Sequence, residues 1–201
     1  MKLRYSPTSP FVRKVTVTLH EIGLIEGVEM IVTNVSDPAS DIAKDNPVGK
    51  VPALIADDGA VYMESAMICE YLDSLHDGPK LIPAEGPARW RALRLQALCD
   101  GILDSAVGRI QETKRPEEKQ WDGLHKRRRT GIERTLDLLE SEVGDLDDEA
   151  NAGTIALGCA LGYHELRFPD EAWRGNRPKL AAWYEKFAAR PSMRATEPKL
   201  P

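Results

Sequence analysis

The chain has 201 residues, 42% apolar and 29% charged, the make-up of an ordinary globular protein that can bury a sizeable core as one large domain or two small ones. Its 27 basic residues are outweighed by 32 acidic ones, which argues against general affinity for nucleic acid. No apolar run approaches the roughly 18 residues a membrane span needs, and MKLRYSP carries no apolar signal core, so a cytoplasmic protein without a membrane role is expected.

The first half alternates strand and helix signals. Leu3 and Tyr5 alternate with polar neighbours as in a short strand, and Val12, Val15, Leu19 and Ile22 then recur at helical spacing up to Gly23, a natural stop. VEMIVTNV (28–35) is rich in β-branched residues and reads as a second strand. An irregular stretch with room for a short helix (37–46) follows. VPALIA (51–56) and AVYM (60–63) flank Asp57-Asp58-Gly59, a compact hairpin signal. SAMICEYLDSLH (65–76) puts Ile68, Leu72 and Leu75 on one helical face, with Ser65 as the expected N-cap.

GPKLIPAEGP (78–87) has the composition of a linker, and everything beyond it reads as helix. A long helix is expected over 88–112, interrupted in propensity by Gly101 and Gly108. Ile132, Leu136, Leu139 and Val143 mark the next one. NAGTIALGCALGYHEL (151–166) is apolar nearly all round and belongs in a core, and Pro178 opens a last amphipathic helix with Leu180, Trp183 and Phe187. The expected organisation is an α/β domain over 1–77, a linker over 78–87 and an all-helical domain over 88–201. The basic run Lys126-Arg127-Arg128-Arg129 could contact an anionic partner, but its ordinary reading is a solvated helix face.

Cys69, Cys99 and Cys159 are far apart, each inside an apolar helical pattern, as reduced buried cysteines are. No histidine or cysteine spacing forms a metal-ligand set, so no metal is expected. Four local patterns stand out in order: TSPFVRK, NPVGKVPAL, DDGAVYMESAMICEYL and the closing RPSMRAT. Ser9 precedes Pro10-Phe11, where proline suits a first helical position, and Ser65 sits where another helix begins. A helix N-terminus favours negative charge, so each serine is a cap that can also serve an anion. Taken alone, Val51-Pro52 is a trans turn and Lys50 a solvated lysine.

Together, in this order and separation, the four patterns resemble the cytosolic glutathione transferase family, specifically its bacterial members, over essentially the whole chain. The resemblance implies an N-terminal thioredoxin-like domain followed by an all-helical C-terminal domain, with glutathione as co-substrate. It implies a cis peptide at Val51-Pro52, where the backbone of Val51 pairs with the cysteinyl unit. It assigns Lys50 to the glycyl carboxylate, Ser65 to the γ-glutamyl carboxylate and Glu64 to the neighbouring ammonium. Ser9 matches the serine- and cysteine-type position for thiol activation, with Tyr5, Ser6 and Thr8 as rivals. Phe11 and residues from Asp104 to Arg109 are expected to line a pocket for a small hydrophobic electrophile.

A homodimer is expected from the same resemblance. A second possibility is a glutathione- or ligand-carrying protein without useful catalysis. A reductase of mixed disulfides is disfavoured, because no cysteine lies within positions 5–14. One departure is local. Where the family usually has a Ser or Thr cap followed three residues later by Asp, this chain has Asn151 and Thr154, which puts local stability in doubt because threonine cannot return a charged hydrogen bond.

Overall fold

A computed structural model describes residues 1–198. Strands β1 (Lys2–Tyr5), β2 (Glu29–Val32), β3 (Ala53–Ile55) and β4 (Val61–Met63) form one sheet in the order β2-β1-β3-β4. β1 pairs β2 in parallel and β3 antiparallel, and β3 pairs β4 antiparallel. The parallel pair is connected through α1 (Pro10–Glu21), as a parallel connection requires, and the antiparallel β3–β4 pair through the expected tight turn. Gly59 in that turn has φ +86°, a conformation glycine adopts without steric cost. The second strand is shorter than its β-branched run: Glu29–Val32 stand in register with β1, and the pairing ends with Thr33 N–H donating to the Tyr5 carbonyl at 2.8 Å.

Helix α2 (Ser65–Ser74) packs beside α1 on the sheet, burying Leu3, Val15, Leu19, Leu54, Ile68 and Leu72 together. The stretch after α2 is pinned rather than loose. Buried Asp73 accepts from the backbone N–H groups of Leu81 (2.8 Å) and Ile82 (3.0 Å), and the Leu81 carbonyl accepts from Ala152 N–H at 3.0 Å.

The remaining chain is helical: α3 (Gly86–Thr113), α4 (Asp122–Ser141), α5 (Ala152–Arg167), α6 (Trp173–Asn176), α7 (Pro178–Ala188) and α8 (Pro191–Ala195). α5 is buried without a break from Ala152 to Leu161, as its all-round apolar sequence requires, and packs against both α3 and α1. Leu180, Trp183 and Phe187 of α7 join this core. The doubt over the α5 start is resolved. The Asn151 side chain accepts from Gly153 N–H (2.9 Å) and Thr154 N–H (3.0 Å), and Thr154 Oγ1 accepts from Asn151 N–H at 2.8 Å. The capping box closes with neutral groups.

All three cysteines are free and buried. Burial pushes their thiols up, that of Cys159 to about 11, so they stay protonated and inert. Among the described residues, no helix is long and apolar enough to cross a membrane.

Candidate functional site

The site forms where β1 hands over to α1, where β3 begins and where α2 begins, facing one side of α3. Ser9 is the N-cap of α1. Its hydroxyl oxygen accepts from Val12 N–H at 3.3 Å, which leaves the hydroxyl proton available to donate elsewhere. Pro10 follows at the first helical position.

The approach to β3 is shaped by a residue that the sequence reading passed over. Asn46 is buried; its amide donates to the Lys50 carbonyl (2.8 Å) and its oxygen accepts from Val48 N–H (3.0 Å), while Gly49 turns the chain at φ +72°. The Asn-Pro-Val-Gly run was itself a turn signal. The Val51–Pro52 peptide is cis, and the ladder of β3 starts only at Ala53, so the backbone groups of Val51 lie outside it.

The start of α2 corrects one expectation. Ser65 is not the N-cap; it is the first helical residue, 4% exposed, and Glu64 is the cap. Glu64 holds φ +66° and is the only non-glycine residue with positive φ among those described. Such a backbone costs on the order of 1–3 kcal/mol and clusters at ligand sites. The Glu64 side chain makes no capping bond, so the carboxylate is not used by its own helix.

These pieces meet in a small cavity of about 110 Å³ lined by Phe11, Lys50, Val51, Pro52, Glu64 and Ser65, with Asp100 and Asp104 of α3 closing it. It opens into a larger cleft of about 630 Å³ that shares Phe11, Lys50, Val51 and Asp104 and adds Ser6, Thr8 and Ser9. Tyr5 lies elsewhere, in a separate cavity with Ile25 and Met30 behind α1. Ser9 reaches both.

The wall contributed by α3 is only partly the one expected. Asp104, Val107, Gly108 and Gln111 recur at three- and four-residue steps and face the cleft. Arg109 does not. One residue beyond Gly108 turns it about 100° around the helix, into the protein. There it donates to both oxygens of Glu171 (2.5 and 3.0 Å) and stacks 3.8 Å over the Phe168 ring. Burial pushes the Glu171 carboxyl up, but Arg109 outweighs it and holds it below the usual glutamate range. Asp100, which the sequence reading did not single out, is one turn before Asp104 on the cleft face.

The basic run is not a uniformly solvated face either. Lys126 and Arg127 are exposed and Arg129 pairs with Glu133, but half-buried Arg128 turns into the cleft. Charge is therefore uneven. Glu64, Asp100 and Asp104 gather around the small cavity beside Lys50, and Lys114, Arg128 and Arg167 line the cleft. The acidic end suits an ammonium beside the anion-accepting start of α2.

A small mixed sheet with a cis-proline before an inner strand, joined to a bundle of helices, defines a thioredoxin-like domain followed by an all-helical one. The chain belongs to the glutathione transferase family. Residues 3–80 match the family described as glutathione S-transferase, N-terminal domain. The chain is 35% identical to the uncharacterized GST-like protein YibF of Escherichia coli K12 over 98% of each chain. A glutathione transferase family member from Pseudomonas fluorescens Pf-5, solved with bound glutathione, is similar at TM-score 0.95 and 43% identity over 99% of both chains. A structure from the same organism with bound S-(propanoic acid)-glutathione is similar at TM-score 0.92 and 42% identity over the full length of both.

Proposed function

We propose that this protein is a glutathione transferase in which Ser9 activates the glutathione thiol for attack on an electrophile held in the cleft between the sheet-bearing and helical parts. The observation that carries it is the convergence of Ser9, Val51 and the Glu64-Ser65 helix start on adjoining cavities that share a wall. The small cavity takes the γ-glutamyl end, with Ser65 N–H and hydroxyl on the carboxylate and Glu64 on the ammonium. The free backbone groups of Val51 pair with the cysteinyl unit as a short added strand. Lys50 meets the glycyl carboxylate. Phe11 packs between the glutathione and electrophile portions. That the Pseudomonas fluorescens relatives were solved with bound glutathione and with bound S-(propanoic acid)-glutathione supports this reading.

The chemistry asked of Ser9 is modest. A thiol of pKa about 8.5 is only a few per cent ionised at neutral pH. Lowering it by about two units takes roughly 2.7 kcal/mol. One hydrogen bond to a charged sulfur supplies about 1.5–3 kcal/mol, and the N-terminus of α1 adds about 0.3–1. The sulfur then forms the new bond to carbon while the leaving group departs with its electron pair. The protein works in the cytoplasm as a two-fold homodimer, as is usual in the family.

The test is titration of the purified protein with glutathione while thiolate absorbance is followed. Binding with thiolate formation is the expected result. Binding without it makes the protein a glutathione carrier, and absence of binding overturns the proposal.

A further inference from the structure

The cleft is not built for a purely hydrophobic electrophile. Lys114, Arg128 and Arg167 line it, and Asp104, the acidic residue there, sits on the wall shared with the small cavity. Among the described residues none of the three cations is in an ion pair, whereas their neighbours Arg109, Arg115 and Arg129 are paired with Glu171, Glu112 and Glu133. Three cations outside any ion pair, against one carboxylate, in one concavity of a chain with net charge −5 are a local reversal of sign.

Two details show that the cations are placed there rather than left over. Arg128 belongs to α4 and reaches the cleft by passing over α3 at Gly108. A Cβ at position 108 would lie 2.5 Å from the guanidinium carbon of Arg128 and 2.6 Å from one of its nitrogens. The glycine that weakens the middle of α3 is thus the one that lets this guanidinium lie against the helix. Arg167 ends α5, and its guanidinium is held 5.5 Å from the ring of Tyr163, another residue lining the same cleft. A cation at a helix C-terminus is favourable in itself, but that does not account for the gap at Gly108.

We infer that the second substrate carries a carboxylate, read by Arg128 and Arg167 with Lys114 at the rim, while its electrophilic carbon faces the sulfur near Ser9. Guanidinium groups bind carboxylates through paired, planar hydrogen bonds, which gives direction as well as charge. For a halogenated carboxylic acid the step balances without any further reactant. The glutathione sulfur bonds to the halogen-bearing carbon, halide leaves with the electron pair, and the thiol proton passes to solvent. The inference rests on the glutathione site proposed above, so its test must separate the two.

The experiment is calorimetric binding of S-(carboxyalkyl)glutathiones with one to four methylenes, each beside the neutral amide of the same length, and of glutathione itself. For the best-fitting length the carboxylate is expected to bind at least about tenfold more tightly than its amide, in keeping with a hydrogen-bonded charged pair. Arg167→Gln should cut that preference to about threefold or less. Gly108→Ala should do the same while folding at least as stably, because alanine suits a helix interior and the atoms it displaces are the end of a flexible side chain. Glutathione binding with no length at which the acid is preferred overturns this inference alone; failure to bind glutathione overturns the proposed function beneath it. A preference that survives both substitutions also overturns it, since the recognising cations would then lie elsewhere.

Discussion

Lys14 of α1 donates to Asp100 of α3 at 2.5 Å, joining the sheet-bearing half to the helical half behind the small cavity. Lys14 is 1% exposed, so an ammonium is held inside the protein opposite a single carboxylate. Burial pushes the Asp100 carboxyl above the ordinary aspartate range in spite of Lys14 beside it. The pair is thus strained by desolvation, and removing one partner is far worse than removing both.

Asp100→Asn is expected to destabilise the protein by about 3–5 kcal/mol, because it leaves the Lys14 charge buried and unpaired. Lys14→Met combined with Asp100→Leu should recover most of that loss. Urea denaturation at neutral pH measures both. A double variant no more stable than Asp100→Asn would show that the pair contributes net stability of its own.

A second tie across the same boundary depends on pH. Arg190 donates to both oxygens of Glu21, each at 3.0 Å, and the Ser192 hydroxyl donates to the same carboxylate. Burial pushes Glu21 up, but Arg190 and Ser192 outweigh it and hold the carboxyl below the usual glutamate range. A carboxylate whose folded value is depressed stabilises the fold fully above its unfolded value, about 4.3, and loses that contribution as pH falls through the folded value. Glu21→Gln should therefore cost about 1.5–3 kcal/mol at pH near 7 and much less at pH near 3. A difference of the same size at both pH values would mean that charge is not what holds this contact.

The backbone at Glu64 separates stability from binding. Replacing it by glycine removes the cost of a left-handed side-chain-bearing residue, so Glu64→Gly should raise stability by about 1 kcal/mol or leave it unchanged. The same variant lacks the carboxylate proposed for the γ-glutamyl ammonium and should bind glutathione about 1.5–3 kcal/mol more weakly. Thermal denaturation and calorimetry of one preparation read both. Unchanged affinity would remove Glu64 from the site.

Much of this arrangement was legible in the sequence because it is local. The hairpin at Asp57-Asp58-Gly59, the stop at Gly23, the prolines opening α1 and α7 and the apolar run of α5 each carry their cause within a few residues. What escaped depends on partners far along the chain. The family resemblance put Arg109 in the pocket wall, yet it pairs with Glu171, 62 positions later, on the other side of α3. Arg128 looked like one member of a solvated run, and only the gap at Gly108 shows that it crosses to the cleft. The left-handed turn at Glu64 had no signal, since glutamate is not a residue that favours it.

The hydroxyl before Pro10 remains the point on which catalysis turns. Ser9 faces the cleft and keeps a proton to donate while capping α1, whereas Tyr5 lines the neighbouring cavity, which Ser9 also reaches, and not the cleft. Ser9→Ala should still bind glutathione, through Val51 and Ser65, but the bound thiol should titrate about one to two units higher, the share carried by one hydrogen bond to a charged group. Tyr5→Phe should leave that titration nearly where it was. Ser9→Cys should behave differently again, because a thiol at the start of α1 has its own pKa lowered and can exchange with a disulfide. Attack by that thiolate on oxidised glutathione would form a mixed disulfide on the protein and release one glutathione thiolate. Mass spectrometry after exposure to oxidised glutathione should therefore find the adduct at position 9. If the introduced cysteine stays unmodified and Tyr5→Phe gives the larger rise in thiol pKa, Ser9 is a cap alone and the activating hydroxyl is that of Tyr5.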